Sequence, residues 1–203
     1  MTVTKKIEQQ KIVPVVTATT YEEAEMFFKA LIAGGLPIAE VCFRTDCAEE
    51  VIHLAEEKYP DMIVGAGTII SDEQCARAIN VGAKFVVSPG ISEEAAFLCA
   101  QRHVPYFPGV VTATEIMRAI SLGLRDLKFF PANNFGGLNT IKSLCAAFPQ
   151  VRFMPTGGVN LGNIKDYLSF SKIFAVGGSW MLKGTAAEIE ENTRCAVKAV
   201  KIL

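Results

Sequence analysis

The sequence predicts a single-domain (β/α)₈ barrel with a short N-terminal helix, and three observations carry that prediction. Short apolar runs rich in Val, Ile and Phe recur eight times, each followed by a longer amphipathic stretch. Most of these runs are continuously apolar rather than alternating, as parallel strands buried on both faces are. The residues just past successive runs, Gly65, Ser88, Pro108, Pro131, Thr156 and Gly177, are separated by 23, 20, 23, 25 and 21 positions. That interval fits a strand, a helix and two short loops. Eight such units with right-handed crossovers close into a barrel, compact at 203 residues against a typical length of about 250. An open, doubly wound sheet is the architectural alternative.

Taken in order, the short N-terminal helix comes first, and Ile12–Thr17 is the first strand. The first long helix is Tyr21–Ala33, where Thr20 and Glu23 fit a capping box. Strand Pro37–Cys42 and helix Ala48–Lys58 come next, then strand Met62–Ala66 and helix Asp72–Val81, opened by a second candidate box at Ser71 and Gln74. Lys84–Val87 leads to helix Ser92–Arg102, where Ala95 at the matching offset excludes a box. The remaining pairs are Pro105–Phe107 with Thr114–Leu122, Leu124–Phe130 with Thr140–Phe148, Val151–Pro155 with Leu161–Leu168, and Ile173–Val176 with Ala186–Val200. No linker, low-complexity tract or charge run divides the pattern, so residues 1–203 read as one domain.

Composition narrows the function classes. With 50% hydrophobic and 20% charged residues the chain is neither disordered nor fibrous. A formal net charge of -1 supplies no broad positive field, which excludes a nucleic-acid partner and makes any anion site local. Neither a signal-peptide core nor a run of roughly 20 apolar residues is present, so no membrane partner and a cytoplasmic location are expected. Six cysteines, Cys42, Cys47, Cys75, Cys99, Cys145 and Cys195, include no C-x-x-C pair. His53 and His103 stand apart from them, so no metal site is expected.

Chemistry in such a barrel collects at the carboxyl ends of the strands, and polar residues there are the informative ones. Lys128 sits in the strand Leu127-Lys128-Phe129-Phe130, where an ammonium is poorly solvated and a neutral amine would be free to attack a carbonyl. An isolated strand lysine more often snorkels outward or pairs with a carboxylate. Glu40 is a carboxylate in the middle of the second apolar run. The two-residue period of a strand places Arg44 on its side, suited to gripping a carboxylate bidentately. A purely structural Glu–Arg pair is the competing explanation, and Lys128 tips the balance to an active site.

Two glycine-rich turns end the last two strands, Thr156-Gly157-Gly158 and Gly177-Gly178-Ser179. Loops at these places commonly build a phosphate site, because glycine lets backbone N–H groups approach the anion. One Gly-Gly pair is an ordinary tight turn, and two in these positions point to a ligand. By contrast, Gly65-Ala66-Gly67 is not a dinucleotide fingerprint, since Ile70 stands where the third glycine belongs.

The segments Glu40-Val41-Cys42-Phe43-Arg44-Thr45, Gly65-Ala66-Gly67-Thr68, Ser88-Pro89-Gly90, Lys128-Phe129-Phe130-Pro131, Pro155-Thr156-Gly157-Gly158 and Gly177-Gly178-Ser179-Trp180 together resemble 2-dehydro-3-deoxy-6-phosphogluconate (KDPG) aldolase and 4-hydroxy-2-oxoglutarate (KHG) aldolase. The resemblance spans nearly the whole chain. It implies a homotrimeric class I aldolase that needs neither metal nor cofactor. Such an enzyme takes a small-molecule phosphorylated sugar acid and releases pyruvate and glyceraldehyde 3-phosphate. Position by position it implies imine formation at Lys128 and acid/base work by Glu40. Arg44, Thr68 and Thr156 then lie near the pyruvate carboxylate, Pro89 and Phe130 form the pocket wall, and Gly157, Gly158, Gly178 and Ser179 hold the phosphate. One departure is Thr17, where many relatives carry an arginine aimed at the phosphate. The galactonate-derived isomer, an acid–base isomerase and a catalytically silent sensor of phosphorylated sugar acids are the alternatives.

Overall fold

A computed structural model describes residues 1–201. Helix α1 (Val3–Gln10) precedes strand β1 (Ile12–Val16), and strands then alternate with helices to the last helix. The order is α2 (Tyr21–Ala33), β2 (Ile38–Cys42), α3 (Ala48–Lys58), β3 (Ile63–Gly67), α4 (Asp72–Asn80), β4 (Val86–Val87) and α5 (Glu93–Gln101). It continues with β5 (Tyr106–Phe107), β6 (Gly109–Val110), α6 (Ala113–Ser121), β7 (Asp126–Phe129), α7 (Gly137–Ala147), β8 (Arg152–Pro155), α8 (Ile164–Leu168), β9 (Val176–Gly178) and α9 (Ala186–Val200). The α/β alternation is therefore present, and every strand pairing is parallel. Among the described residues no helix is long and apolar enough to cross a membrane.

Six strands form a curved sheet in the order β5-β4-β3-β2-β1-β9, and three more form a second sheet, β6-β7-β8. The fifth predicted strand, Pro105–Phe107, is β5, and a further short strand that the sequence did not suggest, β6, follows after Pro108, which interrupts the pairing. Pro108 lacks an N–H to donate, although its carbonyl accepts from the Lys128 N–H at 2.8 Å. The last strand runs later than Ile173–Val176, because the chain changes partner along its length. Ile173 bridges Phe153 of β8, whereas Val176 to Gly178 pair with β1.

Helix ends correct the sequence reading in a consistent way. Thr20 and Ser71 do cap their helices, but Glu23 and Gln74 reach back to the N–H of Thr19 and Ile70, one residue before the cap, so neither pair is a capping box. Ser92 caps α5 through the Ala95 N–H without any reciprocal side chain. Complete boxes occur instead at Thr112 with Glu115 and Thr185 with Glu188. Helix α7 begins at Gly137 rather than Thr140, preceded by a 3₁₀ turn at Asn133–Phe135, and α8 is shortened to Ile164–Leu168.

Two features of the core hold the strands of the two sheets in place. Burying Val, Ile, Leu and Phe against the helices is the main stabilising term, and Phe85, Phe107 and Phe174 continue it as a ring chain with centroids 6.1 and 5.6 Å apart. At the amino ends of β7 and β8, Asp126 and Arg152 are register partners joined by two hydrogen bonds of 2.8 and 3.0 Å. Arg152 also donates to Glu8 of α1 at 3.0 Å and lies over the Phe174 ring. One guanidinium therefore ties the N-terminal helix to the base of the strands.

Candidate active site

Lys128 is the third residue of β7 and Glu40 the third of β2, and both side chains turn to the same interior space. The Lys128 Nζ donates to Glu40 Oε1 at 3.2 Å. Lys128 is 5% exposed and Glu40 is fully buried. Removing two charges from water costs more than their attraction returns unless the remaining valences are satisfied. Here they are not, because Glu40 Oε2 is buried without a partner. Thr156 Oγ1, at the end of β8, and Trp180 Nε1 are buried and unpartnered as well. Orphaned polar atoms are rare in a folded interior, and Thr156 and Trp180 line one cavity, where a polar ligand would complete the set; the fourth such atom among the described residues, Glu8 Oε2, belongs to the N-terminal helix.

Local sequence explains how these groups fit. A Cβ on Gly67, at the end of the adjacent β3, would overlap the Glu40 carboxylate, and one on Gly177 would overlap Thr156 Oγ1. Glycine at these two positions is therefore demanded by close approach. Thr68 comes after Gly67 with φ 59°, a left-handed conformation costing a β-branched residue about 1–3 kcal/mol. Such strain persists where surrounding structure enforces it.

Phe130 covers the lysine, its ring centroid 5.0 Å from Nζ. It also lines a cavity of about 390 Å³, together with Arg44, Thr156, Gly157, Gly158, Gly178 and Ser179. Seven of the residues singled out from sequence thus surround one opening, with the Lys128–Glu40 pair beneath Phe130. Two others do not line it. Thr68 stands beside Gly67, and Pro89 faces a separate hollow of about 210 Å³. Arg44 points its guanidinium at Thr17 Oγ1, 2.9 Å away, and at Cys42 Sγ, 3.4 Å away.

Several residues of the site escaped the sequence reading. Tyr106 accepts from the Ser92 N–H at 3.1 Å and shares a 2.7 Å hydrogen bond with Ser88, so it holds the loop that carries Pro89. Burial raises the Tyr106 phenol above its ordinary range and keeps it a neutral hydrogen-bonding group. Lys183, Trp180 and Val15 line the cavity too. Only Trp180 had a signal, standing at the end of the Gly177-Gly178-Ser179-Trp180 segment. The histidines are peripheral, with His53 on the exposed face of α3 beside Glu57 at 3.4 Å. Among the described residues no three His, Cys, Asp or Glu side chains converge as metal ligands.

The family model for KDPG and KHG aldolase matches residues 3–201. The chain belongs to that aldolase family. It is accordingly a carbon–carbon lyase. The 2-dehydro-3-deoxy-phosphogluconate aldolase of Dickeya dadantii is 39% identical over 188 residues, 93% of this chain and 88% of its own. A crystal structure of the Zymomonas mobilis ZM4 2-keto-3-deoxy-6-phosphogluconate aldolase with 3-phosphoglycerate superposes with a TM-score of 0.90. It is 35% identical and covers 96% of this chain and 95% of its own. The Legionella pneumophila KDPG aldolase, captured with pyruvate as a covalent carbinolamine, has a TM-score of 0.86 at 33% identity, covering 97% and 95%.

Proposed function

We propose that this aldolase cleaves 2-dehydro-3-deoxy-6-phosphogluconate to pyruvate and D-glyceraldehyde 3-phosphate through an imine on Lys128, and cleaves 4-hydroxy-2-oxoglutarate by the same route. The observation that carries the reading is the buried Lys128–Glu40 pair with its free Oε2. Glu40 is the base within reach of the ammonium proton. The freed amine attacks the C2 ketone, Glu40 returns a proton to the carbinolamine oxygen, and water leaves to give an iminium. Glu40, directly or through a bound water, then takes the C4 hydroxyl proton. The C3–C4 bond breaks, its electrons flow into the iminium as an enamine, and the aldehyde departs. Protonation at C3 and hydrolysis release pyruvate and restore the amine. The protonated imine serves as the electron sink, so the step needs no metal.

Arg44, Thr68 and Thr156 are assigned to the substrate carboxylate, Pro89 and Phe130 to the wall, and Gly157, Gly158, Gly178 and Ser179 to the phosphate. The two sheets are read as one closed (β/α)₈ barrel and one domain. Support comes from the single residue separating β5 from β6 and from the parallel bridges Phe153–Ile173 and Thr156–Gly177 between β8 and the last strand segment. A cytoplasmic homotrimer fits the family, and exposed apolar side chains at Ile70, Phe97 and Met117 (70%, 67% and 61%) supply surface for subunit contact. Light scattering should then report three times the 22.0 kDa chain mass.

The decisive assay is incubation with each sugar acid in the presence of EDTA. Equal amounts of pyruvate and aldehyde are expected. No pyruvate, with the substrate still bound, would favour a silent sensor, and activity lost to the chelator would favour a metal enzyme.

A further inference from the structure

We infer that Lys183, in the loop between β9 and α9, is the cation that selects phosphorylated substrates over unphosphorylated ones. The inference rests on the aldolase reading above and concerns the far end of the same cavity. Among the described residues, Lys183 and Arg44 are the only cationic ones lining that cavity, and no carboxylate lines it. Arg44 is assigned above to the substrate carboxylate, and one of its nitrogens is shared between Thr17 Oγ1 and Cys42 Sγ. Lys183 has no acidic partner within ion-pair distance among the described residues, and it lines the opening. Its backbone is held, since its carbonyl accepts from Asn192 Nδ2 of α9 at 3.4 Å.

Beside it lies a set of donors without internal partners. Gly157 and Gly158 adopt φ of 96° and 84°, conformations that only glycine takes freely, and a Cβ on Gly158 would strike Asn133. Among the described residues the N–H groups of Gly157, Gly158 and Ser179 donate to nothing, and neither does the Ser179 hydroxyl. Three unpaired N–H groups and a hydroxyl on residues that line one cavity can recognise the oxygens of a tetrahedral anion but leave most of a dianion's charge unbalanced. A flexible ammonium on the rim balances it, as a point charge that needs no fixed geometry. The second carboxylate of 4-hydroxy-2-oxoglutarate is bonded directly to C4, nearer the reacting carbon than a C6 phosphate, and gains little from a cation on the rim.

The test compares kcat/KM for the phosphorylated sugar acid and for 4-hydroxy-2-oxoglutarate in wild type, Lys183→Met and Lys183→Arg. Lys183→Met should lose roughly 10- to 100-fold on the phosphorylated substrate, mostly in KM, while the unphosphorylated one changes less than about three-fold. Lys183→Arg should recover most of the loss. Equal losses on both substrates would show a structural role, and no loss on the phosphorylated one would remove the role altogether; either overturns the inference. Calorimetric binding of glyceraldehyde 3-phosphate separates this inference from the aldolase reading. If wild type cleaves neither substrate, the aldolase reading fails, yet weaker binding by Lys183→Met still supports the cation, and equal binding overturns it.

Discussion

Strand β7 carries two charged residues on one side, Asp126 at its amino end and Lys128 two positions later, and their surroundings have opposite character. Asp126 meets a guanidinium that fills both its oxygens, and Arg152 is further engaged by Glu8 and by the Phe174 ring. The Asp126 hydrogen bonds raise the Arg152 guanidinium above its ordinary value, even against partial burial. Lys128 meets a carboxylate that it satisfies only in part, leaving Glu40 Oε2 and the nearby Thr156 Oγ1 buried with no partner. At the amino end Glu8 Oε2 makes no hydrogen bond but lies 3.3 Å from the Lys5 ammonium. Every carboxylate oxygen of that network thus faces a cation and the network holds elements together, whereas the other end keeps valences for a substrate. The difference teaches that burial of charge marks function only where the hydrogen bonding is incomplete.

The contrast breaks most sharply at the nucleophile. Lys128→Met should lower kcat by roughly 10⁴-fold or more, since the imine route is lost outright. The double variant Lys128→Met/Glu40→Gln should melt no lower than wild type, because exchanging an incompletely bonded buried pair for neutral groups is often neutral or stabilising. Pyruvate release and thermal melting of the same preparations check both halves.

Next in size is the glycine that makes room for the base. Gly67→Ala drives a methyl into the Glu40 carboxylate. A displacement of about 1 Å costs on the order of 100-fold in rate. The loss should appear in kcat measured on either substrate, unlike that of any change at the phosphate end.

At the amino end the expected response is reversed. Arg152→Met should destabilise the fold by about 2 kcal/mol, a figure kept modest because the side chain is partly exposed. Activity per folded molecule should stay within about three-fold of wild type. Denaturant unfolding read beside steady-state kinetics tests this, and a large kcat loss without destabilisation would erase the distinction between the two ends.

The smallest effect is acidic. Burial pulls the Glu8 carboxyl upward, but the Lys5 and Arg152 cations outweigh it and hold the group below the ordinary 4.5. A lowered folded value means stability that is complete above pH 4.5 and is lost as pH falls through the folded value. Glu8→Gln should therefore lower stability by roughly 0.5 kcal/mol at neutral pH and leave it almost unchanged below the folded value, which flattens the acid side of the stability curve.

Legibility in the sequence depended on how local the information is. Glu40 and Lys128 stood out because a charge inside an apolar strand violates burial rules among its immediate neighbours. The helices Tyr21–Ala33, Ala48–Lys58 and Ala186–Val200 were read to the residue because apolar periodicity and punctuation agreed. The Arg152–Asp126–Glu8 clamp was invisible, since Glu8 and Arg152 lie 144 positions apart and each looks like an ordinary surface charge. Lys183 was hidden for the same reason, as only the fold brings its loop to the glycine rim. The misassigned capping boxes show a finer limit, where one residue of phase decides which N–H a side chain reaches.

The central claim is that the lysine paired with an incompletely satisfied carboxylate is the nucleophile, and borohydride reduction in the presence of pyruvate tests it most directly. Peptide mass mapping should place a reduced pyruvate adduct on Lys128, formed with EDTA present and abolished in Lys128→Ala. No adduct, or an adduct confined to another lysine, would contradict the account.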